Sequence, residues 1–144
     1  MSDTSVEGFE QKSECFIKQY NSYTKYGIRM NGEKTLSENI ADNAGVHRAY
    51  DAYQTWVRRR NGGRREKKLV GLDLDANQLF YLAFGQLWCS VETRDDVRWT
   101  VDADKHMVHD FRVIGSLQNS PAFSETFRCP LGSPMNPRHK CKLW

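Results

Sequence analysis

At 144 residues, 39% hydrophobic and 27% charged, the chain has room for one domain with a modest core. A formal charge of +3 is too small to imply a nucleic-acid partner. The longest apolar run, 79 to 89, is broken by Gln86 and too short to span a bilayer, and the first residues do not read as a signal peptide.

In chain order, Val6, Phe9, Cys15, Phe16 and Tyr20 recur at helical spacing among Glu7, Glu10, Lys12 and Lys18, which predicts an amphipathic helix from Val6 to about Tyr23. Tyr26 to Gly32 reads as a loop. Thr35 precedes Glu38 at the capping-box spacing, so a second helix is expected to start there and run through Ala49, Tyr50, Tyr53, Trp56 and Val57, whose aromatic stripe reads as core. Gly45 weakens the middle of that helix and offers a place for close packing.

Glu38 and Asp42 stack on one face of this helix, one turn apart, where two carboxylates repel each other by a few tenths of a kcal/mol, roughly. No Lys or Arg follows at the spacing that would relieve them, so a cationic or proton-donating group is expected to face the pair. The plainer alternative makes Glu38 a cap favoured by the helix dipole and Asp42 a solvated charge.

The basic run from Arg58 to Lys68 could mark a nucleic-acid patch, but it carries no interleaved aromatic to stack a base. It reads instead as a helix end followed by a solvated loop, with Asn61-Gly62-Gly63 as the stop. Asp75 is a candidate N-cap for a helix from about Ala76 to Val91, rich enough in Leu79, Phe80, Leu82, Phe84, Leu87 and Trp88 to be buried on most sides. His106 and His109 could join Glu38 on a metal, although a chance pair of histidines is the commoner case. Pro130, Pro134 and Pro137 make the tail turn-rich. Four cysteines, at 15, 89, 129 and 141, show no C-x-x-C pairing, and by themselves read as buried thiols.

The stretch Gly32-x-x-Thr35-Leu36-x-Glu38-Asn39-Ile40-Ala41-Asp42-Asn43 resembles a signature of the neprilysin-like zinc endopeptidases, the family that includes endothelin-converting enzymes. Asn77-Gln78-Leu79-Phe80, Gln86-x-Trp88-Cys89, the His106 to Arg112 segment and the Cys141-x-x-Trp144 ending extend the likeness along nearly the whole chain. The resemblance implies a mainly α fold: the C-terminal helical part of a thermolysin-like (gluzincin) zinc peptidase domain, with residues 1–144 forming an incomplete domain.

It also implies roles. Glu38 matches the third protein ligand of the catalytic zinc, and Asp42 the residue that holds a zinc-binding His and is often assigned as a proton donor. His106, five residues before Phe111-Arg112, matches a donor to the oxyanion of the tetrahedral intermediate, and Arg112 matches a donor to a substrate carbonyl. Met107-Val108-His109-Asp110 departs from the family, which usually has Pro or Gly there, and His109 inherits no role.

These residues contain no H-E-x-x-H, so the resemblance places the two histidine ligands and the general base upstream of Met1 and makes the chain a fragment. It further implies a Cys15–Cys141 bridge, a long loop whose closure stabilises by roughly 4–5 kcal/mol in the chain-entropy model. Cys89 and Cys129 would pair with the missing N-terminal region. Peptide substrates, one zinc ion and a place on the extracellular face of the plasma membrane, or in the secreted fraction, complete the expectation. The isolated chain is expected to be inactive; the alternative is a truncated interaction module or pseudo-peptidase.

Overall fold

A 25-residue helix, α2 (Leu36–Arg60), is the axis on which the rest is laid in the computed structural model, which describes residues 3–60, 62–64 and 66–143. Before it come α1 (Asp3–Asn21) and a two-stranded hairpin, β1 (Thr24–Lys25) and β2 (Ile28–Arg29). After it follow α3 (Ala76–Leu87), α4 (Arg94–Ala103), α5 (His109–Gln118) and α6 (Pro121–Thr126). The mainly α expectation holds.

Local chemistry explains most of these boundaries. Asp75 caps α3 through a capping box with Gln78, as its position in the sequence predicts. Thr93 and Asp96 do the same for α4, a helix with no counterpart in the expectation above. Ser120 accepts the Phe123 N–H, and Pro121 fills the first turn of α6, where its missing N–H costs nothing. The expected loop at Tyr26 to Gly32 begins instead as a hairpin: Thr24 pairs with Arg29 and Lys25 with Ile28, and Tyr26 and Gly27 both take positive φ at the turn.

The predicted capping box at Thr35 is not formed. The Thr35 hydroxyl donates back to the Asn31 carbonyl at 2.8 Å and accepts from the Asn39 side chain at 2.8 Å. Glu38 is drawn the other way, toward cations described below, so α2 starts without the reciprocal cap. Nor does Gly45 pack closely, since a Cβ there would meet nothing within 4 Å. Gly32 and Gly115 are the glycines that close approach requires: a Cβ on Gly32 would sit 2.6 Å from the Ile17 carbonyl oxygen, and one on Gly115 would enter the Tyr20 ring.

Two apolar clusters hold the helices. Phe16, Tyr20, Ile28, Met30, Val97, Met107, Val108, Cys141 and Leu143 join α1, the hairpin, α4 and the tail. Val46, Tyr81 and Leu117 join α2, α3 and α5, flanked by Tyr50, Phe80 and Phe123. Tyr50 stacks on Tyr81 and Tyr53 on Phe80, so the aromatic stripe of α2 is core as read, except that Trp56 is exposed. By contrast α3 is not buried on most sides, because Leu82 and Leu87 face solvent. The Cys15–Cys141 disulfide ties α1 to the tail. Arg58 to Arg60 end α2, and the described residues of the basic run beyond them are exposed; Asn61 lies outside the described residues, as does Trp144.

Candidate active site

Polar burial fixes which way α2 faces. Asn39 and Asn43 are buried one turn apart; Asn43 donates to the Tyr20 hydroxyl at 3.0 Å and accepts from Asn119 at 2.9 Å. Asn119 in turn accepts the Cys141 N–H at 2.9 Å, which couples α2 to the bridged tail. Each α-helical residue is rotated about 100° from its neighbour, so Glu38 and Asp42, one position before each Asn, lie at the edge of this buried face. They are neither in the core nor fully in water.

The cationic or proton-donating partners expected for that stripe are present. Glu38, 24% exposed, meets His106 Nε2 at 3.3 Å through one oxygen and Lys105 Nζ at 3.2 Å through the other. Asp42 meets Arg112 in a two-pronged pair, with Nε and Nη2 each donating at 2.7 Å. Both partners are largely buried, at 14% and 13% exposed. The four residues singled out in the sequence therefore converge: Glu38 and Asp42 from α2, His106 from the loop before α5, and Arg112 from α5 itself. His109 does not join them; its Nδ1 lies 2.8 Å from the Ser90 hydroxyl.

Asp104 is a site residue that the sequence reading missed. One of its carboxylate oxygens accepts both the His106 backbone N–H, at 3.0 Å, and His106 Nδ1, at 2.8 Å. The backbone bond and then the ring bond hold the Asp104 carboxyl below the usual carboxylate range. Its available signal was an Asp two residues before a candidate catalytic His, the spacing of an Asx turn. With Nδ1 committed to Asp104, the ring presents Nε2 to the Glu38 carboxylate.

Trp88, half-buried at the end of α3, lies against the same cluster, with its ring 3.8 Å from the Arg112 guanidinium carbon. Among the described residues no three His, Cys, Asp or Glu side chains converge as metal ligands. The donors of the described residues therefore do not make up a complete metal site.

The helical body, with its carboxylate-bearing helix set against a His and an Arg, has counterparts of the same fold among solved structures. A zinc metalloprotease of Mycobacterium tuberculosis superposes with a TM-score of 0.87 at 23% identity, covering 98% of this chain and 22% of that one. A Haemonchus galactose-containing glycoprotein complex superposes at 0.90 with 33% identity, over 98% of this chain and 24% of that one.

The model of peptidase family M13 matches residues 1–143, and the chain belongs to that family. It is 55% identical to endothelin-converting enzyme 1 of Rattus norvegicus over 142 residues, 99% of this chain, and 45% identical to neprilysin of Oryctolagus cuniculus over 143 residues, 97% of this chain. It spans 18% and 19% of the lengths of those relatives.

Proposed function

We propose that these residues form the ligand-donating and transition-state-binding part of a zinc metalloendopeptidase that hydrolyses short peptides on the amino side of a large apolar residue. The observation that carries this reading is the convergence of Glu38 with His106 and of Asp42 with Arg112 across two elements. Glu38 is the carboxylate ligand of a zinc whose two histidine ligands lie outside this chain. When bound, that metal supplies Lewis acidity and an activated water.

The chain's own side chains do the rest. Asp104 pins the His106 ring through Nδ1 and aims Nε2 where it can donate to oxygen as negative charge develops there. One preorganised donor of this kind is worth about 2.7–4 kcal/mol in the transition state. Arg112 spends two of its five N–H donors on Asp42, and the others are free of that pair to take a substrate carbonyl. Asp42 keeps a second lone pair on each oxygen, enough to orient a ligand His as well.

Cys89 is exposed and free, and beside it α3 and α6 enclose an open apolar groove of about 470 Å³, lined by Tyr81, Leu82, Phe123 and Phe127. This supports a partner surface in the rest of an M13 ectodomain, with Cys89 and Cys129 as its disulfide points. It favours that arrangement over a free-standing interaction module. An extracellular location accompanies the proposal; no helix among the described residues is long and apolar enough to cross a membrane.

The test begins with the size of the native product, by immunoblot against residues 133–144 with and without reductant. In a longer product, stoichiometric zinc and peptide hydrolysis, both lost in Glu38→Ala, are expected. The 144-residue chain purified alone is expected to hold no stoichiometric zinc and to cleave nothing. Glu38-dependent hydrolysis by that chain would overturn its inactivity, and zinc retained by Glu38→Ala in the longer protein would overturn the ligand role.

A further inference from the structure

We infer that Trp88 is a positioning residue for Arg112: its indole face and the Asp42 carboxylate together fix the plane in which the guanidinium meets substrate. This rests on the reading above that Arg112 binds a substrate carbonyl.

Two constraints are needed to orient a planar fork. Asp42 grips the edge of the guanidinium through Nε and Nη2 at 2.7 Å each. That fixes the fork within its plane but leaves it free to rock about the Asp42 axis. Trp88 closes that freedom, because its ring centroid lies 3.8 Å from Arg112 Cζ, the separation of a face laid on a face.

The same indole lies 5.7 Å, centroid to centroid, from the His109 ring. His109 and Arg112 are three residues apart on α5, so Trp88 touches consecutive turns of that helix. The backbone holds Trp88 in turn: as C-cap of α3 it donates its N–H to the Gly85 and Gln86 carbonyls. Trp88 Nε1 is buried and has no hydrogen-bond partner among the described residues. The indole contacts shown are therefore made by its ring, on Arg112 and beside His109, and not by its N–H.

The Arg112 Nε–H resonance in the nitrogen-15 spectrum of the full 144-residue chain reads this contact directly. In the parent chain it is expected to be sharp, slow to exchange and displaced by the indole ring current. Trp88→Phe, which keeps an aromatic face, is expected to retain the displacement, and Trp88→Leu to lose it. If Trp88→Leu does not fold, Arg112→Met read at the Trp88 indole N–H serves instead: a moved resonance supports the contact and an unmoved one overturns it.

In the peptide-cleaving protein that carries these residues, Trp88→Leu is expected to lower kcat/KM by about 5- to 30-fold, with Trp88→Phe recovering most of the loss. In an Arg112→Met background the further loss from Trp88→Leu is expected to vanish, because the two act as one unit. An undiminished loss there would make Trp88 an independent wall of the cleft and overturn the inference. Absence of any peptide cleavage by the parent protein would count against the peptidase reading alone, leaving the spectroscopic result to decide the role of Trp88.

Discussion

Asp42 and Arg112 stand 70 residues apart in sequence and meet edge to edge, both oxygens of the carboxylate taking N–H bonds of 2.7 Å from one guanidinium. The pair is the bolt between α2 and α5. Removing one partner leaves the other charge buried without compensation, which costs about 3–5 kcal/mol in comparable pairs. Asp42→Ala is therefore expected to lower the unfolding free energy by about 3 kcal/mol. Adding Arg112→Met is expected to cost less than its effect alone, with a coupling of about 1–3 kcal/mol. Urea unfolding of the two single variants and the double variant measures this; additive losses would mean that the pair contributes nothing as a pair.

The Asp104–His106 contact makes a pH prediction with a definite sign. Asp104 has a lowered folded-state pKa, so the stability it adds is fully present above the unfolded carboxylate value near 4 and is lost as pH falls through the folded value. Asp104→Asn is expected to flatten the acid limb of the stability curve in that window. The backbone N–H of His106 is the larger cause of the shift and its ring the smaller. His106→Ala is accordingly expected to bring Asp104 only part of the way back to an ordinary carboxyl, as read by carbon-13 titration of the side chain. A complete return would assign the effect to the ring.

How far the site was legible follows from what each residue depends on. Glu38 and Asp42 could be paired from spacing alone, because helical periodicity is a local property, and their unrelieved charge called for cationic or proton-donating groups. Which groups came, Lys105 and His106 to one and Arg112 to the other, depends on how α5 returns to α2, and spacing within a segment carries no such information. Asp104 was missed for a different reason: its partner is local, but the role is visible only once His106 is known to face the cleft. The Thr35 box failed because its groups are engaged elsewhere: the Thr35 N–H that Glu38 would have accepted goes to the Asn31 carbonyl, and the hydroxyl oxygen accepts from the Asn39 side chain. Apolar composition placed α3 correctly as a helix, yet it cannot tell which faces this chain covers, and Leu82 and Leu87 remain exposed.

Two glycines provide opposite stability predictions. Gly115 packs against Tyr20, the most buried large side chain, and a Cβ there would come within 2.5 Å of Tyr20 Cζ. Gly115→Ala is expected to destabilise by about 1–3 kcal/mol or more, the range for overpacking a close-packed site. Gly45 sits mid-helix with open space where its Cβ would be. Gly45→Ala is expected to stabilise by about 1 kcal/mol through helix propensity alone. Thermal midpoints moving in opposite directions would support both assignments; a stabilising Gly115→Ala would refute the contact with Tyr20.

The disulfide and the free thiols predict a simple chemical count. Cys15 and Cys141 are bridged across 126 residues of sequence, Cys89 is free and exposed, and Cys129 is free and half-buried. A thiol reagent is therefore expected to modify Cys89 quickly and Cys129 slowly in the native chain, and all four cysteines only after reduction and unfolding. Because the bridge closes a loop of this length, replacing Cys15 and Cys141 together by Ser is expected to cost roughly 4–5 kcal/mol in the chain-entropy model. The loss is expected to concentrate where the bridge acts, on the Asn119 acceptor of the Cys141 N–H and the packing of the tail on α1, and hydrogen exchange locates it there. A native chain with four reactive thiols would show that this link between α1 and the tail does not form in these residues alone.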